Sequence, residues 1–157
     1  MKPIIGCMLC CIIFLQCKKD VIALPLQDFN LVLEKINLLR QSGCNCGSDY
    51  MPPVAPLSLN SQLESAAMAH AKDMDQRNYF EHISPEGITP QERAFKAGYK
   101  GNVEGENLGK GYLNADEVIN AWKKSASHCK AMMDANSNEA GIGFSENYWA
   151  ISFGASL

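Results

Sequence analysis

The sequence predicts an α+β fold in which amphipathic helices pack on a small antiparallel sheet ending in a C-terminal hairpin. Two observations predict this. Apolar residues recur at helical spacing in several capped segments, and near the C-terminus two short strand-like runs are joined by a two-residue turn. A chain of 157 residues suits one domain with one core. With 46% apolar residues, 20% charged residues and a formal charge of −3, its profile is that of an ordinary globular protein. Lys and Arg are scattered, so no basic field exists to hold nucleic acid.

Residues 1–16 read as a signal peptide. Lys2 supplies the positive start, and residues 4–15 form an apolar run too short to span a bilayer. Cys17 follows directly, as in a bacterial lipoprotein signal, and would be the first mature, lipid-bearing residue. The competing readings are secretion with cleavage near Ala23 and an uncleaved anchor. All three place the rest of the chain outside the cytoplasm. Residues 17–27 then form a linker, and 28–157 the folded domain.

Asp28 can cap a helix over 28–41, where Phe29, Val32, Leu33, Ile36 and Leu39 share a face. Gly43 stops it. Residues 43–58 hold three Pro, two Gly and two Cys, which predicts an irregular loop anchored by Leu57 and Leu59. Asn60 or Ser61 starts the main helix, whose stripe is Leu63, Ala66, Ala67, His70 and Met74. Its alanines permit close approach of a neighbouring layer. His70 lies on this stripe as a packed, hydrogen-bonded histidine. Asn78 ends the helix, and Tyr79 and Phe80 should dock into the core and set where His82 points.

Ser84-Pro85-Glu86-Gly87 is turn chemistry. Thr89-Pro90 reads as cap and first-turn proline of a short helix ending at Gly98. Residues 99–111 are glycine-rich, with a strand-like patch at Val103 and Glu106-Asn107-Leu108 towards the end. Asn114 caps a helix whose stripe is Val118, Trp122 and Ala126, and His128 follows at its end or in the turn beyond. Residues 141–144 and 148–153 are the hairpin strands, with Glu146-Asn147 as the turn. Trp149, Ile151 and Phe153 alternate against Ala150 and Ser152.

Of seven cysteines, Cys44, Cys46 and Cys129 fall in the folded domain. Outside the cytoplasm a pair should bridge. A bond between Cys44 and Cys46 would be strained by their spacing, so the reading is Cys129 with Cys44 or Cys46. The alternatives are three reduced, buried thiols, or a zinc site that adds His128.

Taken together, the helix with Leu63-x-x-Ala66-Ala67 and Ala71-x-x-Met74, the segment Phe80-Glu81-His82-x-x-Pro85-x-Gly87, Gly105-Glu106-Asn107-Leu108, Trp122-x-x-Ser125-x-x-His128, Gly141-Ile142-Gly143, Tyr148-Trp149 and Phe153-Gly154 resemble the CAP superfamily. This is the SCP-like group of cysteine-rich secretory, antigen 5 and class-one pathogenesis-related proteins, and the pattern is that of its short bacterial members. The resemblance implies a three-layer α-β-α sandwich with a central cleft. In many members that cleft holds two histidines and two acidic residues that can take a divalent metal such as zinc. His82 matches the first histidine, Glu106 the acidic residue of the Gly-Glu-Asn motif, and His128 the bacterial-type histidine. Ser125 stands where animal and plant members carry a glutamate, and residues 139–143 lack their second histidine, so the tetrad is incomplete.

The leading expectation is an extracytoplasmic binding or interaction module. Its cleft, lined by His82, Glu106, Asn107 and His128, would take a small ligand, a lipid, a protein or a divalent metal held by His82 and His128. The membrane would be a partner through the anchor on Cys17. The second expectation is a metal-assisted hydrolase or protease using His82, Glu106 and His128 as catalytic candidates, since neutral imidazole serves both as metal ligand and as general base. The third is a structural envelope protein in which Glu106 bonds His82 or the backbone of its loop and His128 caps a helix. No nucleophile elbow, His-Glu-x-x-His motif, phosphate loop or EF-hand loop is present.

Overall fold

The structure is a computed structural model and describes residues 29–157. The expectations for the signal segment, Cys17, the linker and the Asp28 cap lie outside the described residues. Eleven elements follow in order: α1 (Phe29–Ser42), β1 (Cys44–Cys46), β2 (Asp49–Met51), β3 (Ser58–Leu59), α2 (Ser61–Arg77), α3 (Pro90–Lys96), β4 (Asn102–Lys110), α4 (Ala115–Lys124), α5 (Ala126–Met132), β5 (Glu139–Ser145) and β6 (Tyr148–Ala155).

The central sheet has the order β3-β5-β6-β4. It is antiparallel except for the short β3, which runs parallel to β5. Helices cover both faces, giving three layers. On one face Trp149, Ile151, Phe153 and Ile142 meet Val32 and Ile36 of α1 and Val118, Ile119 and Trp122 of α4. On the other, Ala150 and Tyr148 meet Ala67, Ala71 and Met74 of α2. This double cover explains why nearly all of β6 is buried, its small residues included. The alternation expected for a half-exposed strand is instead one between large residues facing α1 and α4 and, beyond Tyr148, small ones facing α2.

The small residues have a specific task. A Cβ on Gly141 would lie 2.0 Å from the Leu63 backbone carbon, and one on Gly143 would lie 2.3 Å from the Met68 backbone nitrogen. The backbone of α2 therefore rests directly on β5, which only glycine there permits. Asn60 caps α2 by accepting from the N–H groups of Gln62 and Leu63, and Asn78 ends it in the left-handed region at φ 53°.

Four expectations are corrected. The 43–58 loop contains a small hairpin, β1–β2, because Gly47 at φ 66° lets the chain reverse between Cys46 and Asp49. The patch at Val103 is the start of a nine-residue strand, so Glu106 and Asn107 sit within β4 and not at a loop end. The helix carrying Trp122 stops at Lys124, Ser125 turns extended, and His128 lies inside a separate helix, α5. Ala126 is accordingly exposed and leaves the expected stripe. Phe80 remains 41% exposed and does not enter the core.

The β1–β2 hairpin is joined to α5 by a disulfide between Cys46 and Cys129, and Cys44 keeps a free thiol. Arg40 of α1, fully buried, donates to the carbonyl oxygens of Ala55, Met132, Asp134 and Ser137. It ties the first helix to the segment between α5 and β5. Burial lowers its pKa, partly countered by the charge of Asp134.

Candidate functional site

The edge strand β4 is the foundation of the site. Alternate side chains of a strand point to opposite faces. Glu106 therefore faces the α2–α3 side and Asn107 the α4–α5 side. The exposed edge is closed by side chains. Trp122 donates its indole N–H to the Leu108 carbonyl at 2.8 Å, and Asn107 donates from Nδ2 to the His128 carbonyl at 3.0 Å. Asn107 is fully buried, and its Oδ1 has no partner among the described protein atoms.

His82 lies in the irregular segment after α2. The C-cap at Asn78 turns the chain back, and the Tyr79 N–H bonds the Met74 carbonyl at 3.1 Å. His70, buried on α2, then holds the Glu81 carbonyl through Nε2 at 3.0 Å, which makes Nε2 the protonated nitrogen. Burial, and then the charge of Arg93, lower the His70 pKa, so this imidazole serves as a neutral clamp for its neighbour in the loop.

A residue not foreseen from the sequence completes the cluster. Arg93 projects from α3, whose start is set by a capping box between Thr89 and Glu92 with Pro90 in the first turn. Arg93 donates from Nη1 to the carbonyls of His82 and Ile88, both at 3.0 Å, and from Nη2 to Glu106 Oε2 at 2.7 Å. The other carboxylate oxygen, Oε1, takes His82 Nδ1 at 2.9 Å. The Glu106 side chain is only 3% exposed and Arg93 11%, whereas His82 is 51% exposed. The only signal for Arg93 in the sequence is its place one turn into a well-capped helix.

The three expected side chains are thus brought together unequally. His82 and Glu106 touch. His128 joins neither by a hydrogen bond, yet lies near enough for the charge of His82 to act on it. The hydrogen bond to Glu106 raises the His82 pKa, against desolvation. Burial, and then His82, lower that of His128. One imidazole is therefore biased towards the cation and the other towards the neutral form. Of the structural roles expected, the bond between His82 and Glu106 is present, whereas His128 does not cap a helix and Glu106 does not satisfy loop N–H groups.

A cavity of about 270 Å³ opens beside His128, walled by Phe80, Tyr112, Trp122, Ser125 and Lys110. The Lys110 ammonium lies 4.6 Å from the centre of the Tyr148 ring. A larger groove, about 510 Å³, runs between α1 and residues 53–56 and includes none of the three residues.

Glu106 is poorly placed as a metal ligand in this arrangement, so an ion held by His82 and His128 would have to do without it. Both oxygens of Glu106 are engaged by cationic or hydrogen-bonding side chains. Among the described residues, the one group of three or more His, Cys, Asp or Glu with ligand atoms within 4.8 Å of one another is Cys44, Cys46 and Cys129.

Among solved structures, the chain is similar to an extracellular SCP-domain protein of Bacillus anthracis. That match has TM-score 0.72 and 21% identity, over 80% of this chain and 39% of the other. It is also similar to an outer surface protein of Borrelia burgdorferi, with TM-score 0.69 and 23% identity over 83% of this chain and 93% of the other. These likenesses show the fold. In sequence it is 34% identical to YkwD of Bacillus subtilis over 59% of this chain, and 25% identical to the membrane protein YlbC of the same organism over 64%. The matched stretches span 36% and 29% of those two relatives' own length. The family model described as the cysteine-rich secretory protein family, CAP, matches residues 33–151, and with most of its length covered this chain belongs to that family.

Proposed function

We propose that this chain is an extracytoplasmic binding module whose cleft at the β4 edge takes a small organic ligand with an apolar body and an acidic end. The observation that carries the reading is the engagement of Glu106. Its two oxygens are held by Arg93 and His82, so the carboxylate is neither a free base nor a free metal ligand. Its effect is to hold His82, half-exposed, as a hydrogen-bond donor with cationic bias. The cavity itself is lined by His128 and Lys110, which supplies a cation, with Phe80, Tyr112 and Trp122 as apolar walls, and His82 acts on it through the charge it exerts on His128. This arrangement supports recognition over hydrolysis. The setting is supported by the fold neighbours, one described as extracellular and one as an outer surface protein. Among the described residues no helix is long and apolar enough to cross a membrane. A lipid on Cys17 remains part of the proposal and would tether the module to the membrane.

The test is titration of the full chain with octanoate, octylamine and zinc, following the imidazole signals by NMR. The expected result is saturable movement of the His82 and His128 signals with octanoate alone, weakened in Lys110→Ala. One zinc per chain, lost in a folded His82→Ala variant, would overturn it in favour of the metal-assisted reading. So would ester or peptide turnover that disappears in Glu106→Gln.

A further inference from the structure

The cysteine trio lies apart from this cleft, where the β1–β2 hairpin meets α5. Cys46 and Cys129 are buried and Cys44 half-buried. The Cys44 Sγ lies 3.7 Å from that of Cys129 and 3.9 Å from that of Cys46. It is nearly equidistant from the two bridge sulfurs and so meets the disulfide from the side. Thiol–disulfide exchange needs the attacking sulfur behind one bridge sulfur, in line with the bond it breaks. The third thiol is therefore poorly placed to exchange and well placed to form a triangle. The surroundings are also sulfur-rich and dry. Met133 is buried in the same cluster, and Met51, the cross-strand partner of Cys44, packs against it with Leu39 and Val54.

We propose that, once the Cys46–Cys129 bond is reduced, Cys44, Cys46 and Cys129 form a trigonal thiolate site for one Cu(I) ion. A dithiol reductant supplies two electrons and two protons, converting the bridge to two thiols and becoming a disulfide itself. Each thiol that then binds copper releases its proton to solvent. A trigonal site with metal–sulfur bonds of roughly 2.3 Å places its sulfurs about 4.0 Å apart, close to the two spacings that Cys44 already shows. Soft thiolates select copper(I) or zinc. Structural zinc takes four ligands, and among the described residues no His, Asp or Glu joins this group. Three sulfurs with no fourth donor match monovalent copper better. The oxidised and metal-bound forms exclude one another, so the disulfide gates the site.

The experiment uses the full chain with Cys7, Cys10, Cys11 and Cys17 changed to Ser, leaving the trio as its only thiols. The protein is reduced with a phosphine, freed of oxygen, and titrated with Cu(I) against the indicator bicinchoninate. The expected result is one copper per chain with thiolate-to-copper absorption in the ultraviolet, no uptake by the oxidised chain, and affinity at least tenfold lower in Cys44→Ser. That variant keeps the bridge and should fold normally before reduction. Cys46→Ser, reduced in the same way because Cys44 and Cys129 could then bridge, retains two thiols and should bind more weakly than the reduced trio. Copper left with the indicator, equal affinity in Cys44→Ser, or preferential uptake of zinc would overturn the proposal. So would collapse of the near-ultraviolet circular dichroism on reduction, since the site requires the fold.

Discussion

Replacing Glu106 by Gln removes one charge while keeping shape, so it isolates what the carboxylate does. In the native chain a side chain only 3% exposed faces Arg93 at 2.7 Å and His82 at 2.9 Å. Breaking one partner of a buried ion pair costs about 3–5 kcal/mol, and hydrogen bonds to charged groups are each worth about 1.5–3 kcal/mol. The lower end applies, because Arg93 keeps its bonds to the carbonyls of His82 and Ile88, and glutamine still offers one oxygen. A loss of about 2–3 kcal/mol is expected. It should also depend on pH. The His82 pKa is raised above 6.5 in the folded chain, chiefly by its bond to Glu106. Stability from that bond is therefore fully present below the unfolded value and fades as pH climbs through the folded one. Urea unfolding of both proteins, with the disulfide intact, should show a larger difference at pH 5.5 than at pH 8.5. Equal differences at the two pH values, or an unmoved His82 titration in the variant, would refute the assignment of Glu106 as the group that holds His82.

Three further outcomes are expected. Gly143→Ala places a methyl 2.3 Å from the Met68 nitrogen and 2.4 Å from the Ala67 carbonyl carbon, both backbone, so α2 must lift from the sheet; denaturant melts should show a loss of about 3 kcal/mol. Arg40→Met leaves four carbonyl oxygens without their donor, and unfolding should show at least about 3 kcal/mol lost despite the similar volume. In His82→Ala the His128 pKa, followed by NMR, should rise part of the way to 6.5, because the repelling charge is gone while burial remains; its depressed value means that the stability linked to His128 is lost as pH falls, and less of it is lost in the variant.

How far the sequence is legible depends on whether an element is defined by its own residues or by others. The helix α2 carries both caps and an uninterrupted stripe, and the β5–β6 hairpin carries its turn and its alternation. Both are readable because the information is local. The strand β4 is different. Gly105, Glu106 and Asn107 have little strand preference, and what makes them a strand is pairing with β6 and partners on both sides. For the same reason α5 is invisible, since a seven-residue helix held by Cys129 and Met132 has too few turns to show a period. His82 and Glu106 could be named as partners from their motifs. Arg93 could not, because nothing in Thr89-Pro90-Gln91-Glu92-Arg93 distinguishes a cation aimed at a distant carboxylate from one on a solvated face.

Arg93 also bears on why the four-residue pattern is incomplete. A cleft with two carboxylates carries a negative charge that a divalent ion can neutralise. The resemblance would put Ser125 where a second carboxylate stands in other members, which leaves Glu106 as the carboxylate of the set. Arg93, 11% exposed, pairs with it from within the fold. A metal entering at Glu106 would have to displace the guanidinium from Oε2 or the imidazole from Oε1. Arg93 thus keeps Glu106 engaged within the fold and leaves His82 as the half-exposed member of the pair.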